Sequence, residues 1–253
     1  LEKFIQATRD SGYKGTYSAI SELIDNSLEA RAKNIHIYIT TGDNLCHPIK
    51  ISILDDGSGM NNLTLSEALR FGGTTRFNNR NGMGRYGMGL PNSSLSQTKK
   101  VEVYTWQSKK NVIYSYLDVN EIAAGKVTEI PMPIKISLPN FFASACKNSG
   151  TLVIWSQCDR LSNRRIKTLV SKLGESLGRI FRYYIWEGIN IYINDKKICA
   201  LDPIFYRTSN GDLHSTLFSD PLEYDIASPT SDATPSSIGK VKVTFTELPV
   251  HEW

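Results

Sequence analysis

A chain of 253 residues, 40% hydrophobic and 21% charged, has ordinary globular composition and is long enough for one large core, or one domain plus part of a second. The net charge of +4 is small, and its basic pairs at Lys99-Lys100, Lys109-Lys110 and Arg164-Arg165 read as solvated faces, which argues against a strongly basic nucleic-acid binder. Cys46, Cys146, Cys158 and Cys199 lie far apart without a C-x-x-C pair, so a disulfide framework or zinc site is not indicated and a reducing, cytoplasmic setting is expected. No apolar run nears the ~20 residues needed to cross a bilayer, and no signal peptide opens the chain, so no membrane partner is expected. A start at Leu1 and a stop at Trp253 just after an apparent strand read as a fragment of a longer protein.

In chain order, Tyr17, Ile20, Leu23, Ile24 and Leu28 fall on one helical stripe, which predicts a half-buried helix over Thr16 to Ala32. Alternation through Ile35, Ile37 and Ile39 and again through Ile49, Ile51 and Ile53 predicts two strands, joined across a loop containing Asn44 and Pro48. Asn62 to Arg70 reads as a short helix. Phe71 to Gly89 carries six glycines and little periodicity, the pattern of a mobile loop. Strands follow at Val101 to Trp106, Val112 to Asp118 and Thr151 to Trp155, then a long helix over Leu161 to Trp186. A strand at Ile189 to Ile193 turns through Asn194-Asp195 into Lys196 to Cys199. Strand runs with helices between them, without strict β-α-β alternation, favour an α+β two-layer sandwich over a Rossmann sheet. From about Arg207 to Gly239 the composition turns to Ser, Thr, Asp and Pro, marking a linker or long loop, and Lys240 to Leu248 alternates cleanly again. Residues 1–206 are thus expected to form one domain, 207–239 a connection and 240–253 the opening of a second.

Three segments carry chemistry. In SELIDNSLEA, Glu22 and Asn26 stand four apart on one side of the first helix, beside the small residues Ala19 and Ala30. A carboxylate can act as a general base and an amide oxygen is a hard ligand suited to Mg2+. The same spacing also describes an exposed helix face, since Asp25 and Glu29 lie on that broad side. In ILDDGSGM, strand parity sends Asp55 inward and Asp56 the other way, so Asp55 needs a partner such as the exocyclic amine of a purine. Gly57 and Gly59 would let a flat ring meet bare backbone, with Met60 as a polarizable wall; a plain β-turn remains the alternative. In GMGRYGMGL, Gly82, Gly84, Gly87 and Gly89 precede a segment from Leu90 to Ser96 that can open a helix, with Pro91 near its start. That arrangement suits a phosphate cradle, although it is not a G-x-x-x-x-G-K-[ST] loop.

Together and in this order the three segments resemble the N box, G1 box and G2 lid of the GHKL ATPases: gyrase, the ninety-kilodalton heat-shock chaperones, histidine kinases and MutL. Within that superfamily AISELIDNSLEARA, YGMGLPNSS, GTLVIW and YYIWEGINIYINDKKI most resemble the MORC-like branch, from about Ala7 to Phe205. The resemblance implies a Bergerat fold, with helices on one face of a mixed sheet, and slow Mg2+-dependent ATP hydrolysis. It further implies that Glu22 activates water, that Asn26 binds Mg2+, that Asp55 hydrogen-bonds the adenine amine and that Thr151 assists through a water on the adenine side. Gly84, Arg85, Tyr86, Gly87, Met88 and Gly89, followed by Leu90, would wrap the phosphates. An ATP-gated lid closure with homodimerisation, a transducer-like second domain and DNA engagement by regions outside this chain are implied in the same way. Two departures bear on this: Met88 and Pro91 stand where MORC proteins carry an Asn and a Lys, and no second-domain lysine for the γ-phosphate is identifiable. They leave a nucleotide-gated interaction module with negligible turnover as the alternative. A histidine-kinase role is not expected, because none of His36, His47, His214 and His251 sits in a phospho-acceptor helix.

Overall fold

The computed structural model describes residues 2–13, 15–44, 47–70, 89–127, 129–143, 147–207, 214–227 and 238–248. Contacts divide the chain into two units, Leu1–Cys199 and Ala200–Trp253.

The first unit begins with α1 (Glu2–Ser11) and α2 (Thr16–Glu29), followed by the antiparallel strands β1 (Asn34–Asn44) and β2 (His47–Asp55). The helix α3 (Asn62–Ala68) starts at Asn61, whose side chain accepts from the Thr64 N–H at 2.9 Å. Next come α4 (Gly89–Leu95), β3 (Lys100–Trp106), β4 (Ile113–Asp118), α5 (Val119–Ala123), β5 (Ile134–Lys135), α6 (Asn140–Ala143) and β6 (Gly150–Trp155). The unit closes with α7 (Ile166–Ile180), α8 (Arg182–Trp186), β7 (Asn190–Ile193) and β8 (Lys196–Lys197). Its strands form one eight-stranded sheet in the order β5-β4-β3-β6-β2-β1-β7-β8, antiparallel except for β1 with β7, so the sheet is mixed.

The period-2 pattern decides which face each strand buries. Ile35, Ile37, Ile51, Ile53, Val103 and Val153 point to the face covered by Ile20, Leu23 and Ile24 of α2, Leu95 of α4, and Leu169, Leu173 and Leu177 of α7. Each fully buried side chain of this kind contributes ~1.5–3 kcal/mol. On the opposite face Leu54, Tyr104, Trp106, Leu152 and Ile154 form a smaller cluster with Phe142 of α6. The α+β two-layer architecture with a mixed sheet is as expected, and its main helices share one face.

Several boundaries differ for identifiable reasons. The helix expected to run to Ala32 ends at Glu29, because Arg31 takes φ 61° and the Ala32 N–H turns back to Ser27 O at 3.0 Å. Tyr17, placed on the apolar stripe by its spacing, is 50% exposed in the first turn, and the buried stripe starts at Ala19. The single helix expected over Leu161 to Trp186 is two: Phe181, 1% exposed, turns into the core and separates α7 from α8. Ser162 is withdrawn from helix by a tie to the start of α2, with Thr16 N donating to Ser162 Oγ at 3.0 Å and Ser162 N to Thr16 Oγ1 at 2.8 Å. The turn at Asn194-Asp195 has φ 47° and 63°, as a tight hairpin between β7 and β8 requires.

The helix α1 is held by Ile5, buried in the main core, and by a polar anchor. Arg9, 4% exposed, donates to Thr98 O at 2.6 Å and to both oxygens of Asp159 at 2.8 and 2.6 Å.

In the second unit β9 (Thr216–Leu217) pairs with β12 (Thr246–Glu247), and β10 (Leu222–Ala227) with β11 (Ile238–Val243). The strand β10 falls inside the polar stretch 207–239, where Leu222, Tyr224 and Ile226 alternate with Glu223 and Asp225.

Candidate functional site

Asp55 ends β2, and its parity with Ile51 and Ile53 sends the carboxylate to the helix-covered face, as expected; it is 7% exposed. Ser27 Oγ lies 3.0 Å from Oδ2, the Gly57 N–H donates to Oδ1 at 2.9 Å, and the Thr151 N–H also donates to it. Burial pushes the carboxyl up from an ordinary 3.8 to about 6, against those three donors. Asp56 points the other way. It accepts from Lys33 N and Asn34 N, both at 2.8 Å, and from Asn34 Nδ2 at 2.6 Å, tying the end of β2 to the start of β1. Burial raises its pKa, but these bonds outweigh burial and leave it lowered.

The glycines after Asp55 are required by protein backbone. A Cβ on Gly57 would meet Ala30 Cβ at 2.8 Å and Ala30 O at 2.9 Å, where the β2–α3 turn crosses the end of α2. Gly59 has φ +66°, and a Cβ there would overlap the Trp106 carbonyl oxygen. A Gly59→Ala substitution is therefore expected to cost at least ~1–2 kcal/mol, or ~2–8 °C in a thermal melt, since no side chain can yield at a carbonyl.

Strand register places Asp55, Thr151 and Thr105 in one row across β2, β6 and β3. Thr105 is buried and serves three groups: its Oγ1 accepts from the Met60 N–H at 2.9 Å, lies 3.0 Å from Gly150 O and 3.1 Å from Thr151 Oγ1. It was not among the expected site residues. Its signal is a hydroxyl where the alternation Val101, Val103 calls for an apolar side chain. Ser27 carries the same signal on the stripe of α2.

Glu22 and Asn26 lie one turn apart on α2, both half-buried. Tyr13 Oη donates to Glu22 Oε2 at 2.8 Å, and Oε1 faces Gly89, where a Cβ would overlap it. Neither of these partners was expected. Asp25, between Glu22 and Glu29, is pushed up to about 6 by burial and by those two charges. Because Ser27 meets Asp55 one residue beyond Asn26, the inward carboxylate and the Glu22 acid lie ~7–8 Å apart along the α2 axis. Gly89 and Leu90 open α4. Gly84, Arg85, Tyr86, Gly87 and Met88, expected to wrap phosphates, lie outside the described residues.

These groups suit a magnesium nucleotide. Among the described residues no group of three or more His, Cys, Asp or Glu could hold a metal. Mg2+ usually takes only one or two oxygens from protein and the rest from substrate phosphates and water, and the half-buried Asn26 amide carries a hard oxygen of the kind that could serve. No helix among the described residues is long and apolar enough to cross a membrane.

Among curated proteins, ATPase MORC2A of Mus musculus is 29% identical over 99 residues, covering 39% of this chain and 10% of that protein. Human MORC family CW-type zinc finger protein 1 is 28% identical over 120 residues, 46% of this chain and 12% of that one. The chain thus aligns with about a tenth of the length of these relatives. Among solved structures, the ATPase and transducer domains of DNA topoisomerase II from Balamuthia mandrillaris align at TM-score 0.49 and 15% identity, over 73% of this chain and 48% of that one. The profile of the family described as histidine kinase-, DNA gyrase B-, and HSP90-like ATPase matches residues 13–151, from the tyrosine that meets Glu22 to the threonine beside Asp55. With more than half of its length inside that match, the chain belongs to this family of ATPases and carries its ATP-binding fold.

Proposed function

We propose that this chain binds ATP with Mg2+ and hydrolyses it slowly, and that nucleotide state sets its association with a second copy. The observation that carries the reading is that Asp55, at the end of β2 against Ser27, and Glu22 face one stretch of α2, an inward acceptor at one end and an anchored carboxylate at the other. Asp55 accepts the adenine amine, and Thr105 and Thr151 hold the hydroxyl row beside it. Asn26 holds Mg2+, whose charge would offset that of the phosphates. Glu22 takes a proton from the attacking water, a role worth ~10²–10⁴-fold in rate. The segment Gly84 to Leu90 closes over the phosphates, and closure completes a surface for dimerisation. Residues 1–206 act as the ATP-binding domain, with 240–253 opening a transducer-like domain and the dimer switching the conformation of a larger protein.

Single-turnover hydrolysis with and without EDTA tests the reading, together with sedimentation in a non-hydrolysable ATP analogue. Phosphate release that needs Mg2+, and a shift from monomer to dimer with the analogue, are expected. The alternative, a nucleotide-gated module with negligible turnover, is favoured by Pro91 inside α4, where the MORC pattern has a lysine. Tight ATP binding with no phosphate released would establish that alternative.

A further inference from the structure

Glu22 stands on a helix surface with three rotatable bonds between its carboxylate and the backbone. A general base must lie within ~2.6–3.2 Å of the atom whose proton it takes, and a misplacement of ~1 Å can cost ~10²-fold. Something must therefore hold this side chain. We propose that Tyr13 is the positioning residue for the Glu22 carboxylate, fixing Oε2 so that Oε1 faces the start of α4. The proposal rests on the reading of Glu22 as the base.

Three observations carry it. Tyr13 Oη donates to Oε2 at 2.8 Å, while Oε1 lies against the α-carbon of Gly89, so the two oxygens are in different surroundings. The tyrosine is packed against the main core, and its backbone is held as well: Gln97 Nε2 donates to Tyr13 O at 3.0 Å. Gln97 is itself 1% exposed and accepts from Thr16 Oγ1 at 2.8 Å, and Thr16 exchanges bonds with Ser162. The segment between α1 and α2 is thereby pinned to the residue just beyond α4 and to the approach to α7. A network whose central members, Thr16 and Gln97, are buried and satisfied resists displacement more than separate bonds would. Burial and the nearby Glu22 charge also raise the phenol pKa, so the hydroxyl keeps its proton across the working range and remains a donor.

Tyr13→Phe removes one hydroxyl and keeps the ring. The expected result is a kcat ~10–100-fold lower, with the ATP dissociation constant within twofold and an unchanged melting temperature. Unchanged kcat would overturn the assignment. So would equal losses of binding, melting temperature and rate, which mark a structural role. A wild-type protein that binds ATP without turnover would remove the hydrolytic reading and this assignment together, whereas normal wild-type turnover with a fully active Tyr13→Phe protein would remove the assignment alone.

Discussion

A Glu22→Gln protein is expected to bind ATP as the wild type does and to release phosphate at least ~10²-fold more slowly in single turnover. The substitution is nearly isosteric, and Gln can still accept the Tyr13 hydroxyl through its amide oxygen, so the packing of α2 and the approach to Gly89 should survive. What disappears is the capacity to take a proton. Unchanged binding with near-abolished release separates the chemical role of Glu22 from the bland possibility of a solvated helix face. Release at the wild-type rate would leave Glu22 without that role, and Asp25, held at about 6 beside it, would be the next group to substitute.

Asp55→Asn should act on binding. A hydrogen bond to a charged acceptor contributes ~1.5–3 kcal/mol, so replacing the carboxylate is expected to weaken ATP binding by ~10–150-fold in calorimetry. The pH dependence offers a second measurement. Since Asp55 titrates near 6 in the folded protein, wild-type affinity should fall as pH drops through 6, and the Asn variant should lack that component. The difference between the two proteins isolates Asp55 from Asp25 and from the terminal phosphate, which titrate in the same range.

Stability should move in the opposite direction. Between 3.8 and about 6 the folded state keeps a proton on Asp55 that the unfolded chain has lost. Its contribution therefore falls as pH rises through that window and is level above it. Asp55→Asn should flatten that slope in denaturant titrations.

Elements whose side chains obey a clean period can be read from the chain alone. The helix α2 is legible because Ile20, Leu23 and Ile24 fall on one stripe, and β1 and β2 because their isoleucines alternate. The inward aim of Asp55 follows from the same arithmetic, since parity along a strand is a local property of the backbone. The family motifs are also contiguous runs of sequence, which is why a family profile can match residues 13–151 without any structure.

Tertiary structure decided whatever depends on contacts between residues distant in the chain. Arg9 docks α1 through Asp159, 150 positions away, a partner that no local pattern names. Phe181 breaks the long helix because the core accepts its ring, a fact that helical spacing cannot contain. Gly57 and Gly59 look like space for a ligand when read along the chain, yet the backbone that needs their missing side chains belongs to Ala30 and Trp106. Thr105 joins the site because strand pairing sets it beside Thr151, and Tyr13 because the turn before α2 swings its hydroxyl onto Glu22. Periodicity records which face a residue occupies; only packing decides what stands on the other side of that face.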